Sequence, residues 1–66
     1  MNDLGAEHFC EVLIDGVSLD IYEIFTGDQS DGFEVYDEHG NCLNEGNIFD
    51  DVPTPEDLRD LIQKGR

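Results

Sequence analysis

The sequence predicts a small α+β domain, in which a four-stranded, mainly antiparallel sheet made of two β-hairpins carries one C-terminal helix packed on one face. Two β-type runs flank Asp15-Gly16, two shorter runs flank a turn at Gly40, and the end of the chain has apolar residues at helical spacing. A chain of 66 residues is near the lower size limit for folding alone. We therefore expect residues 1–66 to form a single domain, with a flexible N-terminus over residues 1–6.

The first hairpin is predicted over residues 8–25. Asp15-Gly16 suits the positive-φ positions of a two-residue turn, which pairs Ile14 with Val17 and fixes the register of both strands. Because side chains alternate along a strand, one face is then apolar. Its residues are Cys10, Val12, Ile14, Val17, Leu19 and Ile21. The opposite face pairs Leu13 with Ser18, Glu11 with Asp20, and Phe9 with Tyr22.

The second hairpin is predicted over residues 32–45, after a loop over 26–32 that is rich in Gly, Asp and Ser. Gly40 suits the left-handed position of a three-residue connection. This register pairs Val35 with Leu43 and Tyr36 with Cys42. The face of the sheet away from the helix is expected to stay open, with Phe9 and Tyr22 on it.

The helix is predicted over residues 55–64. Thr54 is a favourable N-cap, Pro55 suits the first helical position, and Gly65 is expected to end the helix. Its apolar face consists of Leu58, Leu61 and Ile62. A helix this short needs tertiary contacts to persist, so we expect it to dock on the sheet. Ile48, Phe49 and Val52 are expected to anchor the segment before it.

The charge distribution is the strongest functional signal in the chain. The formal net charge is −14, and the three basic residues, Arg59, Lys64 and Arg66, all lie in the last eight positions. Residues 1–58 contain sixteen of the seventeen acids and no Lys or Arg. This charge disfavours direct binding to nucleic acid or to anionic membranes. The longest apolar run is three residues, and no secretory signal is evident, so we expect a cytoplasmic protein with reduced cysteines.

Metal binding and catalysis have little support in the sequence. An EF-hand match around Gly32 lacks a ligand at its first position, Gly27. The residues that would form a zinc set are His8, Cys10, His39 and Cys42. Its spacings are unlike those of zinc knuckles, and a buried apolar Cys10 is the favoured interpretation. A Cys10–Cys42 disulfide is a minor alternative. We expect no cofactor and no enzymatic activity, since no nucleophile is placed beside an oriented base.

The expected function is that of a non-enzymatic acidic binding module that engages a basic protein surface. The favoured partner is a DNA-binding or other nucleic-acid-handling protein, which the module would inhibit or regulate as a DNA mimic. Phage-encoded inhibitors of DNA-directed enzymes are similar in size and acidity, a likeness of composition alone. The expected contact residues are Glu11, Asp20, Glu34, Asp37, Glu38, Asp50, Asp51, Phe9, Tyr22 and Tyr36. The alternative is a generic small intracellular domain, a homodimer through its open sheet face, whose acidity serves only solubility.

Overall fold

The computed structural model describes residues 4–64, and it shows an α+β fold with three antiparallel strands and one C-terminal helix. The strands are β1 (Leu4–Ile14), β2 (Val17–Thr26) and β3 (Gln29–Tyr36), in the order β1-β2-β3, and the helix is α1 (Pro55–Lys64). The predicted fold class is confirmed, but the predicted fourth strand is absent from residues 4–64. The described chain is elongated, with extents of 40 × 17 × 17 Å.

The β1–β2 hairpin has the predicted turn and most of the predicted register. Asp15 and Gly16 have φ values of 51° and 80°, as a two-residue turn with two left-handed positions requires. The pairing runs without a shift from Ile14–Val17 back to Cys10. All six residues predicted on the apolar face belong to the core: Leu19 and Ile21 are buried, and Cys10, Val12, Ile14 and Val17 pack against them.

Phe9 breaks the predicted alternation of β1. The register shifts between His8 and Cys10, so that His8 pairs with Tyr22 and Phe9 is the extra residue of a β-bulge. The predicted Phe9–Tyr22 pair is therefore wrong. A bulge places two successive residues opposite one partner, and here it lets the Phe9 ring contact the buried Phe33 ring edge-on, with centroids 5.2 Å apart. Phe9 thus lies on the covered side of the sheet instead of the open side, with 48% of the residue exposed.

Residues 26–32 were predicted to form one loop. They contain instead the two-residue turn between β2 and β3 and the first residues of β3. Thr26 pairs with Gln29 across a two-residue turn formed by Gly27 and Asp28. Gly27 has a φ of 61°, which glycine adopts at little cost. The loop prediction was wrong because the polar residues that suggested a long loop instead form an exposed, polar end of a strand.

The predicted turn after β3 is present. The Asp37 N–H donates to the Asn41 carbonyl oxygen at 3.0 Å, and the Gly40 N–H donates to the Asp37 carbonyl oxygen at 3.0 Å. Gly40 has a φ of 83°, and Tyr36 forms the predicted pair with Cys42 as an isolated bridge. The chain therefore turns back along β3 as expected, but only briefly.

Asn44 takes the place of the fourth strand. The Leu43 N–H donates to the Val35 carbonyl oxygen at 2.8 Å, after which the chain turns away. The Asn44 side-chain oxygen accepts from the Val35 N–H at 2.9 Å, and its amide nitrogen donates to the carbonyl oxygens of Phe33 at 3.1 Å and Asn47 at 3.2 Å. Only 3% of Asn44 is exposed. The Asn44 amide thus pairs with two backbone groups of the β3 edge, the Val35 N–H and the Phe33 carbonyl oxygen, that a fourth strand could have paired.

Phe49 closes the rest of the β3 edge. Its N–H donates to the Phe33 carbonyl oxygen at 3.1 Å, and its carbonyl oxygen accepts from the Phe33 N–H at 2.8 Å. Gly32 makes this approach feasible, since a Cβ there would lie 2.4 Å from the Phe49 oxygen and 2.5 Å from Ile48 Cγ2. The φ of Gly32 is 136°, a conformation that other residues rarely adopt.

The helix has the predicted bounds and cap. The Thr54 hydroxyl accepts from the Asp57 N–H at 3.2 Å, while the Asp57 carboxylate accepts from the Thr54 N–H at 3.1 Å. This reciprocal arrangement satisfies backbone donors at the helix start. Leu58 is buried against the core, with Leu61 and Ile62 packed beside it. The apolar stripe therefore docks on the sheet as predicted.

The segment before the helix is anchored less extensively than predicted. Phe49 packs against the core, but Ile48 and Val52 are 43% and 45% exposed. Pro53 is buried in their place. The helix also contacts the turn between β1 and β2, where the Arg59 Nε lies 3.1 Å from the Asp15 carboxylate.

Two further predictions concern the ends of the chain. Residues 4–6, predicted to be part of a flexible N-terminus, belong to β1, while residues 1–3 lie outside the described part. The predicted helix stop at Gly65 also lies outside it. In the described range of 4–64, no helix has the length and apolar character needed to cross a bilayer.

Candidate acidic and aromatic site on the open sheet face

The sheet has one face that the helix does not cover, which we call the open face. Strand alternation and the observed register assign its side chains, because the core residues occupy the alternate positions. The open face includes Ala6, His8, Glu11, Leu13, Ser18, Asp20, Tyr22, Ile24, Glu34 and Tyr36.

Three aromatic rings cross the open face from one edge of the sheet to the other. His8 and Tyr22 are 5.2 Å apart between ring centroids, at 83°, and Tyr22 and Tyr36 are 5.3 Å apart, at 82°. Edge-to-face packing of this kind stabilises each pair beyond area burial. His8 joins this row only because of the bulge at Phe9, which the sequence does not signal.

Glu11 and Asp20, the two carboxylates predicted to oppose each other on this face, each have one side chain within hydrogen-bonding distance. The Asp20 Oδ1 lies 2.9 Å from His8 Nε2, and the Ser18 hydroxyl donates to Glu11 Oε2 at 3.1 Å. Glu11 and Asp20 do pair directly across the strands, as predicted. These partners orient the two acids, and neither partner is Lys or Arg.

Two protonated groups, the Tyr36 hydroxyl and the Cys42 thiol, lie beside the Glu34 carboxylate. The Tyr36 hydroxyl donates to Glu34 Oε1 at 3.2 Å, and Cys42 Sγ lies 3.9 Å from Glu34 Oε2. Burial, followed by the hydrogen bond to Glu34, raises the pKa of Tyr36 to about 12. Burial, with the neighbouring negative charge of Glu34, also raises the pKa of the Cys42 thiol. Both groups therefore stay neutral at pH 7.

Asp37 is a fixed carboxylate at the rim of the open face. Its Oδ1 accepts from the backbone N–H groups of His39 and Asn41, both at 2.9 Å. These bonds, that of Asn41 first, lower the pKa of Asp37 below its ordinary value. Hydrogen bonds to the charged form are the physical cause. The turn thus holds a negative charge in one orientation.

The turn and the open face together form a shallow concavity of about 400 Å³. The tyrosines and Ala6 come from the sheet, and the other wall comes from the turn after β3. Its lining residues are Ala6, Asp20, Tyr22, Tyr36, Asp37, Glu38 and Gly40. This volume is within the range of small-ligand sites, and its walls combine aromatic rings with carboxylates. Such a surface is suited chemically to holding organic cations.

Seven of the ten predicted contact residues lie on the open face or in the turn beside it, and three do not. The seven are Glu11, Asp20, Tyr22, Glu34, Tyr36, Asp37 and Glu38. Phe9 lies on the core side because of the bulge. Asp50 and Asp51 are exposed in the segment between the Phe49 bridge and the helix, outside the sheet. Sequence reasoning missed Ala6 and the ring of His8, since both depend on the register beyond the bulge.

The zinc set is not brought together. The bulge puts His8 and Cys10 on opposite faces, and Cys42 lies beside Glu34 while His39 lies 3.7 Å from Glu38. Within residues 4–64, no three His, Cys, Asp or Glu side chains are grouped so that they could hold a metal ion. Cys10 and Cys42 are free thiols, so the alternative of a disulfide between them is not seen.

Comparisons with known proteins add no family to this description. No family model, no curated protein and no solved structure is significantly similar to this chain.

Proposed function

We propose that this protein is a non-enzymatic, cytoplasmic binding module whose open face engages a basic protein surface, and that its partner is a nucleic-acid-handling protein that it inhibits or regulates. The observation that carries the proposal is the separation of charge. Five carboxylates lie on the open face or its rim, while residues 1–58 contain no Lys or Arg. These acids are Glu11, Asp20, Glu34, Asp37 and Glu38.

No Lys or Arg of residues 4–64 lies on this surface. Arg59 and Lys64 belong to α1, on the opposite side of the sheet, and Arg59 already pairs with Asp15. A surface of one sign steers an oppositely charged partner and repels one of like charge. The acids therefore select a basic surface and disfavour nucleic acid itself.

The strand geometry supports mimicry of a polyanion. Each strand places one acid on the open face, Glu11 on β1, Asp20 on β2 and Glu34 on β3, and neighbouring strands are about 4.8 Å apart. Proteins that bind DNA gain much of their affinity from Lys and Arg contacts to regularly spaced phosphates. Carboxylates on a twisted sheet offer the same class of contact, with Tyr22 and Tyr36 between them to bury apolar area.

The alternative function is a generic domain that dimerises through the open face. The exposed Leu13 and the half-buried Tyr22 and Tyr36 favour some contact there. Two copies would, however, bring two acidic faces together, and the sheet has no Lys or Arg to offset the repulsion between them. We therefore favour a basic partner.

The test is salt-dependent capture followed by competition. The immobilised protein is exposed to lysate at 50 mM and 500 mM salt, and each captured protein is purified and assayed for nucleic-acid binding with and without the module. We expect capture only at low salt, as for charge-driven contacts, and competition with nucleic acid. Glu11→Gln with Asp20→Asn should abolish capture, whereas Glu56→Gln with Asp50→Asn, an equal change of charge elsewhere, should preserve it. Equal capture by both double variants would contradict the proposal, as would capture without competition.

A further inference from the structure

We propose that the concavity between the open face and the turn after β3 is a binding site for one arginine side chain of the basic partner. This inference rests on the proposed function and specifies where that partner is anchored. The concavity combines two aromatic rings, Tyr22 and Tyr36, with carboxylates from two different segments. A guanidinium group is the protein cation that uses both features at once, since it stacks on rings and bonds to carboxylates through a planar fork.

The aromatic part of the site is rigid. The Tyr22 ring packs between the rings of His8 and Tyr36 at nearly right angles, with centroid distances of 5.2 and 5.3 Å. The Tyr36 hydroxyl donates to Glu34, so this phenol is oriented as well. Rings that are already fixed lose little conformational entropy when a cation stacks against them.

The acidic part of the site is also arranged before any ligand arrives. Asp20 is held by His8 from the sheet, and Asp37 is held by the backbone N–H groups of its own turn. Glu38 is exposed beside them and adds a third negative charge to the lining. The lining residues include no Lys or Arg, so a cation entering the concavity meets no repulsion from them.

The dispersion of these carboxylates favours an organic cation over a metal ion. A metal ion needs several ligand atoms converging within about 2.0–2.6 Å. No such group of three ligating side chains is present in the part of the chain from residue 4 to residue 64. A concavity of about 400 Å³ with separated acids instead suits a long, flat cation with several donors. Arginine fits this description better than lysine, whose ammonium group is a compact, strongly hydrated charge.

The first experiment needs no variant. Nona-arginine and nona-lysine peptides, equal in length and charge, are titrated into the protein by calorimetry at 50 and 150 mM NaCl. Both peptides should bind more weakly as salt rises, since both respond to the acidic face. We expect the arginine peptide to bind about tenfold more tightly, because it alone gains stacking and bidentate contacts.

The second experiment locates the preference. Tyr22→Val removes one ring without changing charge or strand propensity, while Tyr22→Phe keeps the ring as a matched control. We expect Tyr22→Val to reduce affinity for nona-arginine about tenfold with little effect on nona-lysine, and Tyr22→Phe to bind as the unmodified protein does. Glu38→Gln should weaken arginine binding more than Glu56→Gln, which removes the same charge from the helix.

The outcomes separate the site from the proposed function. Equal affinity for the two peptides overturns the arginine site and leaves the acidic-face proposal in place. An arginine preference that Tyr22→Val does not reduce also overturns it, since the preference then arises elsewhere. If neither peptide binds at 50 mM salt, both proposals are wrong. If Tyr22→Val does not fold, the comparison of Glu38→Gln with Glu56→Gln still locates the preference, and equal affinity of the two peptides for the unmodified protein still overturns the site.

Discussion

The two faces of the sheet are built from the same strands by the same alternation, yet they differ in what they do. The covered face holds Leu19, Ile21 and Val35, each at most 1% exposed, and it receives the helix through Leu58. The open face has carboxylates and tyrosines at the alternate positions, and Leu13 there is 72% exposed. Stability is therefore concentrated on one face, which leaves the composition of the other face free to serve binding.

A matched pair of leucines in one hairpin gives the largest contrast between the faces. Leu19→Ala removes a side chain that is 0% exposed, and we expect it to lower the free energy of unfolding by about 4 kcal/mol. Leu13→Ala on the open face should change it by less than about 0.5 kcal/mol. Urea denaturation followed by circular dichroism measures both. A Leu13→Ala cost close to that of Leu19→Ala would mean that the open face is part of a core, as in a dimer.

The next largest effect is expected where the chain closes over the β3 edge. Gly32→Ala places a Cβ 2.4 Å from the Phe49 carbonyl oxygen at a φ of 136°, so we expect a loss of about 3 kcal/mol. Gly5→Ala, where no atom lies within 4 Å of the added Cβ, is the matched control and should be nearly neutral. Thermal unfolding of the two variants provides the comparison. Similar melting temperatures for both would disprove the close approach at Gly32.

A smaller loss is expected when the substitute for the fourth strand is removed. Asn44→Ala leaves the buried Val35 N–H without its side-chain partner, which should cost about 2 kcal/mol. Asn47→Ala removes an exposed side-chain amide. Because Asn47 contacts Asn44 only through its backbone, this variant should change the free energy of unfolding by less than about 0.5 kcal/mol. Amide hydrogen exchange at Val35 should accelerate in the first variant only. Unchanged protection at Val35 in both would contradict the role given to Asn44.

The smallest effect concerns the rim of the open face and depends on pH. The folded-state pKa of Asp37 is lower than its unfolded value, so its contribution to stability is present above the unfolded pKa and is lost as pH falls through the folded pKa. Asp37→Asn should therefore lower stability at pH 7, where this contribution is fully present, and reduce the acid-side slope of stability. Unfolding midpoints in urea between pH 2 and pH 7 test this. An unaltered slope would show that the turn does not hold the charged form.

The parts of the fold that the sequence predicted are those set by local chemistry. Asp15-Gly16 determines the first register because the turn type fixes which residues face each other. Thr54 and Pro55 determine the helix start in the same way. Both signals lie within a few residues of the structure that they specify, so each element could be predicted with its pairing or its bounds.

The errors arose where a distant contact decides the outcome. The bulge at Phe9 brings this ring against Phe33, a contact with another strand that the residues around Phe9 do not signal. Asn44 resembles any turn asparagine in the sequence, and only the fold brings its amide to the Val35 N–H and the Phe33 carbonyl oxygen of the β3 edge. For the site, strand alternation predicted that Glu11 and Asp20 share the open face with most of the other residues found there. The concavity could not be predicted, because part of its lining depends on the β1–β2 register beyond the bulge at Phe9.

The most direct test of the claim that the open face is the binding surface is residue-resolved mapping of a basic ligand. Backbone amide shifts are recorded by NMR as nona-arginine is added to the ¹⁵N-labelled protein. We expect the largest changes at Asp20, Tyr22, Tyr36 and the turn at Asp37, with Leu58 and Leu61 on the covered side unaffected. Shifts centred on the helix, or spread evenly over all acidic residues, would contradict the division of roles between the two faces.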